Sequence, residues 1–476
     1  MNSSANASVP FSVLRRRVAS YPRSFGLHLC VLCASVISVF VLVLDSPLSA
    51  QQPSPSKKAS PAQKAQSPGP LEALWRSAEQ ALEKEDYAAA AKALEEFLSY
   101  RPDDPFAHFQ LGYTYTGLKR WDDALREYTK ATELDSKLAP AYLNLGLLHL
   151  EREPAAAVAP LERAVELMPG EARPRFLLGL AHERAGNAKA AIESYSAARE
   201  IDGKNFEIRL SLARMLLASK DAAGAEAEFR AALEIRDDSD PARLGLAEAL
   251  LAQGCGNNVS KCEDKGEQAA REFAVYLERH PDDAESREQL ARLYADLGQF
   301  EEALAELDRL VAAGKSSVAL YRLQAECQVK LGKFAEAGET LTKALSLEPG
   351  NALLHAQLGR VRLEQRDFPA AEKELRNALR LKPEHTEALR DLVSVFYLGE
   401  NYPATLGALD ELGKLETLPA GSWFVRATCY DKLQMKPEAL AAYKMFVQLD
   451  QGRSERQDFQ ARQRIRIITR ELERKR

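Results

Sequence analysis

Residues 105–138 read PFAHFQLGYTYTGLKRWDDALREYTKATELDSKL, and this stretch decides the fold because its arrangement returns along the chain. Gly112 lies early in its first half, Ala124 lies early in its second half, and Tyr128 follows four residues later. The step from unit to unit is 34 residues, apart from one step of 33 and one of 44. The units begin at Leu71, Pro105, Ala139, Ala172, Phe206, Asp240, Ala284, Val318, Ala352, Thr386 and Ala420. Such a period predicts stacked copies of one supersecondary element.

The residues that recur in each unit predict two closely packed helices. A small residue early in each helix lets the pair approach, and a bulky residue in the second helix fills the seam between them. The small residues of the first helices are Ala78, Gly112, Gly146, Gly179, Ala213, Ala247, Ala291, Ala325, Gly359 and Ala427, with Val393 as the exception. The bulky residues are Leu94, Tyr128, Leu161, Tyr195, Phe229, Phe273, Leu307, Leu341, Leu375, Leu409 and Tyr443.

This pattern resembles the tetratricopeptide repeat (TPR) family. The family's early aromatic residue is replaced by His108 in the second unit and by Arg175 in the fourth. The resemblance implies an all-α, right-handed superhelical solenoid of eleven antiparallel helix pairs over residues 71–453. It also implies that the first helices line a concave face that binds peptides or partner proteins. The residues that carry the resemblance are Leu111, Gly112, Tyr115, Ala124, Tyr128 and Ala131, and Leu358, Gly359, Ala371, Leu375, Ala378 and Pro383.

The C-terminal residues 454–476 predict a capping helix. Phe459, Ile465, Ile468 and Leu472 give one apolar stripe among Arg and Glu residues. Because each unit of a solenoid contacts only its neighbours, the ends of the array need such caps.

Residues 1–50 have the features of a targeting segment. Arg15–Arg17 precede an uncharged, mostly apolar run at 26–44, and small residues end at Ala50. Two interpretations stay open. One is a secretory signal cleaved near Ala50; the other is a retained membrane anchor, since the run is close to the ~20 residues that span a bilayer. Both predict an exported protein of a bacterial type, located in the periplasm or cell envelope.

Charge is unevenly distributed along the chain. Residues 1–50 carry a net charge of +3, residues 51–70 carry +3, and residues 71–476 carry −11. Residues 51–70 predict a disordered linker rich in Pro, Ser, Ala and Lys. The acidic body argues against binding of nucleic acid, which requires a basic surface.

The first four units predict an apolar groove on the inner face. A contiguous apolar patch of this size is rarely exposed without a use, so we interpret it as a site for an apolar peptide or helix. Two alternatives stay open: several of these residues pack against neighbouring first helices, or the linker covers the end at Trp75. The residues are Trp75, Phe106, Phe109, Tyr113, Leu143, Leu147, Phe176 and Leu180.

Later units place arginines at inner positions. Arg292, Arg322, Arg360 and Arg390 come from four successive units and could bind an acidic partner, because Arg binds carboxylates with two hydrogen bonds. The alternative is pairing within the chain. The acidic residues near enough for that pairing are Glu288, Glu326, Glu364 and Asp391.

An insertion near 255–264 interrupts the sixth unit. Cys255 and Cys262 bracket a Gly/Asn-rich loop, which predicts a disulfide if the protein is exported. A metal site would need further ligands, and the spacing is not that of a redox-active pair. Cys327 and Cys429 occupy matching places in two first helices and predict small core residues.

The sequence contains no catalytic signature: no Gly-rich phosphate loop, no zinc-protease motif and no credible Ser/His/Asp set. We therefore predict a non-catalytic scaffold without cofactor or metal that binds protein or peptide ligands in the cell envelope. Two alternatives are a structural subunit of an envelope export or polysaccharide-secretion complex, and an accessory regulator of a partner enzyme. The oligomeric state stays open, and contact with a membrane is expected only through residues 26–44.

Overall fold

The computed structural model describes residues 69–253 and 263–473. These residues form 23 helices and no strand. The helices of the first half are α1 Pro70–Glu83, α2 Tyr87–Tyr100, α3 Pro105–Gly117, α4 Trp121–Leu134, α5 Ala139–Arg152, α6 Pro154–Leu167, α7 Ala172–Arg184, α8 Ala188–Ile201, α9 Phe206–Ala218, α10 Ala222–Ile235 and α11 Asp240–Ala252. Those of the second half are α12 Glu263–Arg279, α13 Ala284–Asp296, α14 Phe300–Ala312, α15 Val318–Lys330, α16 Phe334–Leu347, α17 Ala352–Glu364, α18 Phe368–Leu381, α19 Thr386–Leu398, α20 Tyr402–Leu415, α21 Ala420–Lys432, α22 Lys436–Asp450 and α23 Glu455–Glu473.

Consecutive helices pack as hairpins within two compact units, Met1–Leu148 and His149–Arg476. In the first unit α1 packs on α2 and α3 packs on α4. In the second unit the same pairing runs from α7 and α8 to α21 and α22, and α23 packs on α22. This architecture confirms the predicted all-α solenoid of helix pairs with a further helix at its C-terminal end.

The predicted seam between the two helices of a pair is present. A Cβ atom built on Gly112 would lie 2.8 Å from the Cδ1 atom of Tyr128, and one built on Gly179 would lie 2.5 Å from the Cδ1 and Cε1 atoms of Tyr195. Both tyrosines are buried. Only glycine therefore allows the first helix to approach the ring at these two positions.

A residue in the left-handed region turns the chain between the two helices of most pairs. It stands at one repeat position, and in the nine units where the described residues show it, it is glycine in three, although a side chain there is strained. The glycines are Gly186, Gly298 and Gly332, with φ of 81°, 76° and 73°. The other residues are Glu85, Lys119, Lys220, Arg366, Glu400 and Gln434.

Polar caps fix where several first helices begin. The Asp104 carboxylate accepts hydrogen bonds from the backbone N–H groups of Phe106 and Ala107, at 3.1 and 3.0 Å. Such caps satisfy amide donors that have no partner inside the helix. Asn205, Asp283 and Asn351 cap α9, α13 and α17 in the same way.

A histidine or arginine replaces the family's early aromatic residue in several units and links three chain segments. The His108 ring lies 2.6 Å from the Glu127 carboxylate and 2.8 Å from the Pro102 carbonyl oxygen. The second helix of one pair is thereby joined to the turn that precedes its first helix. The equivalent trios are Arg209 with Glu228 and Gly203, Arg243 with Glu272 and Asp237, Arg287 with Glu306 and Pro281, and His355 with Glu374 and Pro349.

The C-terminal helix α23 buries only part of the predicted stripe. Ile468 is fully buried, and Ile465 and Leu472 pack against the core of the last helix pair. Phe459 is 59 % exposed and lies outside that contact, so it does not belong to the buried stripe.

Some predicted features lie outside the described residues. These are the targeting segment 1–50, nearly all of the linker 51–70, and the Cys255–Cys262 disulfide. Pro70, predicted as the last linker residue, is the first residue of α1. The insertion falls between α11 and α12, as the spacing of the units predicts.

Candidate functional site

Half-buried aromatic and aliphatic side chains lie on the first helices of successive repeats in the compact unit Met1–Leu148. The ring centroids of Trp75 and Phe106 are 5.7 Å apart, so side chains from α1 and α3 meet directly. Tyr113, Leu143 and Leu147 are also only partly buried. We call Trp75, Phe106, Tyr113, Leu143 and Leu147 the aromatic face.

Two residues predicted for the groove are core residues instead. Phe109 is 4 % exposed, and its ring lies 5.9 Å from that of Tyr128. Leu180, in the compact unit His149–Arg476, is 8 % exposed. Phe176 is partly buried and packs against the Tyr195 ring at 5.7 Å. Phe109 and Leu180 therefore pack in the core and offer almost no surface to a ligand.

The spacing of the aromatic face along α3 suits an extended ligand. Phe106 and Tyr113 are seven residues apart, which places them on the same side of the helix about 10 Å apart. The Tyr113 ring meets the Tyr87 ring edge-on at 6.4 Å. Burial, followed by the effect of Tyr87, raises the pKa of Tyr113. Its hydroxyl therefore stays protonated near neutral pH and can donate a hydrogen bond.

An acidic ridge of Glu79 and Glu83 lies on α1, the helix that carries Trp75. The Trp75 indole N–H donates to the Glu79 carboxylate at 2.8 Å, which fixes that carboxylate next to the ring. Glu79 and Glu83, one helical turn apart, are both exposed. The face thus combines aromatic rings with negative charge on one edge, a pairing suited to a ligand that is apolar and basic.

The arginines predicted to bind an acidic partner are mostly engaged within the chain. Arg292 pairs with Glu288 at 2.8 Å. Arg360 donates two hydrogen bonds to Asp391, at 3.0 and 3.3 Å. Arg390 pairs with Glu416, which lies in the turn after α20 and was not among the expected partners. Arg322 is exposed and has no carboxylate partner among the described residues. These contacts favour internal pairing, so a partner's carboxylates would compete with those of the chain.

Neither the cysteines nor the acidic and histidine side chains of the described residues form a reactive centre. Cys327 and Cys429 are fully buried, as predicted for small core residues, and burial raises the pKa of each thiol to about 11. Across residues 69–253 and 263–473, no three His, Cys, Asp or Glu side chains converge as metal ligands would. One nitrogen of His182 is buried without a hydrogen-bond partner in that part of the chain, but it has no neighbouring ligand set.

Curated relatives match part of this chain. Hsp70-Hsp90 organizing protein 3 of Arabidopsis thaliana is 22 % identical over 233 residues, which is 46 % of this chain and 39 % of the relative. DnaJ homolog subfamily C member 3 of Gallus gallus is 25 % identical over 218 residues, 43 % of this chain and 41 % of the relative. This chain therefore spans about two fifths of the length of each.

Solved structures with a similar fold include several helical-repeat proteins. Yeast Tom70 is 14 % identical with a TM-score of 0.32, covering 85 % of this chain and 96 % of Tom70. YrrB, described as a TPR protein with an unusual peptide-binding site, is 20 % identical with a TM-score of 0.36, covering 41 % and 97 %. MamA of Desulfovibrio magneticus is 23 % identical with a TM-score of 0.34, covering 36 % and 97 %. At these values nothing about partners follows for this chain.

The predicted localisation is wrong. Both interpretations of the N-terminal segment predicted an exported protein of the periplasm or cell envelope. In the part of the chain that the structure describes, no helix is long and apolar enough to cross a membrane. The curated relatives are named for chaperone organisation, the anaphase-promoting complex and the DnaJ family, with no reference to export. The run at 26–44, on which the prediction rested, lies outside the described residues.

Family models assign the repeats. One tetratricopeptide repeat model matches residues 76–139, 143–206, 176–241, 264–317 and 288–352, which together span more than half of the chain. A second tetratricopeptide repeat model matches residues 328–395. These matches fall on the helix pairs described above, and they agree with the small and bulky residues that form the seam of each pair. The chain belongs to the tetratricopeptide repeat family.

Proposed function

We propose that this protein is a non-catalytic scaffold that binds a protein or peptide partner on the aromatic face of the compact unit Met1–Leu148. The observation that carries the proposal is the set of half-buried rings on successive first helices, with Trp75 and Phe106 in contact. Aromatic side chains supply large apolar contact areas at low entropic cost, and they dominate the binding energy of many interfaces. Nucleic acid is not the expected partner, because the body of the chain is acidic.

A site for acidic partners at the later arginines has weaker support. Three of the four arginines already form ion pairs, and a partner would have to displace Glu288, Asp391 or Glu416. Exposed ion pairs contribute about 0–1 kcal/mol each. Breaking an internal pair therefore costs little, but a new pair between the arginine and the partner adds equally little to the binding energy. We therefore place the principal binding site on the aromatic face.

The structure also determines which substitutions can test the site. A charge at Phe109 would enter the core and unfold the first unit, because that ring is buried. Tyr113→Glu with Leu147→Glu places charges on the face itself, since both side chains are partly exposed. Tyr100→Glu is a matched control: Tyr100 is 65 % exposed, ends α2 and does not belong to the aromatic face.

The test is affinity capture of partners followed by their identification, with circular dichroism to verify that each variant is folded. The proposal predicts that the Tyr113 and Leu147 double variant loses its specific partners, whereas Tyr100→Glu retains them. Equal capture by the two variants would refute the assignment of the site.

A further inference from the structure

The aromatic face includes Trp75 of α1, the helix that begins directly after the N-terminal part of the chain. Gly69, which precedes α1, has φ −58° and ψ 158°, the geometry of polyproline II. Gly69 itself is therefore extended where it meets α1. Trp75 is six residues further on, about 9 Å along the helix axis.

The segment before Gly69 has the composition that such a face accommodates. Residues 51–68 read QQPSPSKKASPAQKAQSP, with four prolines, three lysines and no acidic residue. Proline-rich segments favour polyproline II, and grooves lined by aromatic rings bind that conformation. Three residues make one turn of this helix, about 9 Å, which is close to the spacing of about 10 Å between Phe106 and Tyr113.

Charge and connection favour the same occupant. The segment carries +3, and the acidic ridge of Glu79 and Glu83 borders the face. Pro61 is eight residues from Gly69, about 25 Å of extended chain, which exceeds the roughly 9 Å along the helix axis between Gly69 and Trp75. A short tether gives an effective concentration in the millimolar range, so even a weak intrinsic affinity gives substantial occupancy.

We propose that residues 51–68 of the same chain bind on the aromatic face and block it until a partner displaces them. This inference rests on the proposed function, since it makes the chain's own segment a competitor for the partner site. The observed pair is a surface of half-buried rings and exposed carboxylates beside a proline- and lysine-rich segment tethered at its edge.

The test uses the full chain with a photoreactive p-benzoylphenylalanine in place of Phe106, and separately in place of Tyr113 in case the first variant is unstable. The control carries the same group in place of Phe459, which is exposed in the second unit. Isotope-labelled and unlabelled copies are mixed before irradiation, and cross-linked peptides are identified by mass spectrometry.

We expect cross-links from positions 106 and 113 to residues 51–68 within one molecule, and none to that segment from position 459. The triple substitution K57E, K58E, K64E should lower the yield several-fold, because it replaces attraction to the acidic ridge by repulsion. Absence of these cross-links at both positions would overturn the inference. Cross-links only between labelled and unlabelled copies would also overturn it, since the occupant would then be a second copy.

The outcome is separable from that of the proposed function. If the cross-links are absent but Tyr113→Glu with Leu147→Glu still loses its partners, the face binds partners and only self-blocking is refuted. If the cross-links form but the double variant captures partners normally, the segment occupies the face and the partner site lies elsewhere.

Discussion

Replacing Gly179 by alanine tests the close packing between the two helices of one repeat. A Cβ atom at this position would lie 2.5 Å from two carbons of the Tyr195 ring, whereas carbon atoms in contact normally sit 3.5–4.0 Å apart. The ring is fully buried, so it cannot move aside into solvent. Overpacking of this kind costs about 1–3 kcal/mol.

Gly179→Ala also carries an opposing gain, because alanine in a helix interior is favoured over glycine by about 1 kcal/mol. Gly407→Ala isolates that gain: Gly407 lies within α20, and a Cβ there meets nothing within 4 Å. We therefore expect Gly407→Ala to stabilise the protein by about 0.5–1 kcal/mol and Gly179→Ala to destabilise it by up to about 2 kcal/mol.

The measurement is urea denaturation followed by circular dichroism. Midpoints are compared only between variants whose unfolding free energy depends on urea concentration with the same slope, because repeat arrays can unfold in stages. The wild-type midpoint should fall between those of the two variants. If Gly179→Ala raised the midpoint as much as Gly407→Ala, the close approach of α7 to the Tyr195 ring would be refuted.

Three further predictions concern single positions. Gly298→Ala should lower stability by about 1 kcal/mol, because φ is +76° there, and urea denaturation measures the loss. The hydrogen bond to Glu127 raises the pKa of His108, so the stabilisation that this pair provides is full below about pH 6.5 and is lost as the pH rises through the folded pKa. The His108→Gln variant should therefore lose more stability relative to wild type at pH 5.5 than at pH 8.5, and an equal loss would contradict the ion pair. Cys327 and Cys429 should resist thiol reagents in the native protein and react after unfolding, because burial raises each thiol pKa to about 11; mass spectrometry of the alkylated peptides measures these two cysteines separately from the other four.

The fold could be predicted from the sequence because its cause is local and repeated. Small residues such as Gly112 and bulky residues such as Tyr128 recur at fixed spacing, and their contact forms the seam of each pair. A related signal is present in the sequence. Gly186, Gly298 and Gly332 share one repeat position, which identifies the left-handed turn between the two helices even where other residues occupy it.

The site was harder to predict because burial and pairing depend on neighbouring elements. Phe106 and Phe109 look equivalent in the sequence, yet only Phe109 inserts against the Tyr128 ring and is buried. Arg390 pairs with Glu416, which lies in the turn after α20. The two residues belong to different helix segments, so the periodicity of one helix does not predict their contact. Contacts within one helix, such as Arg292 with Glu288, follow from i,i+4 spacing, whereas contacts across turns require the tertiary structure.

The measurement that tests the central claim most directly is the dissociation constant of a purified partner, obtained by titration calorimetry at low and high salt. Recognition on the aromatic face predicts a Kd that rises only modestly between about 50 and 500 mM salt, because the rings supply most of the contact and screening weakens only the attraction to the exposed Glu79 and Glu83. It also predicts that Tyr113→Glu raises the Kd by about 30-fold or more, since a charge would be buried against apolar groups, while Tyr100→Glu leaves it unchanged. A Kd that rises steeply with salt and ignores Tyr113→Glu would contradict the account and point to the arginines instead.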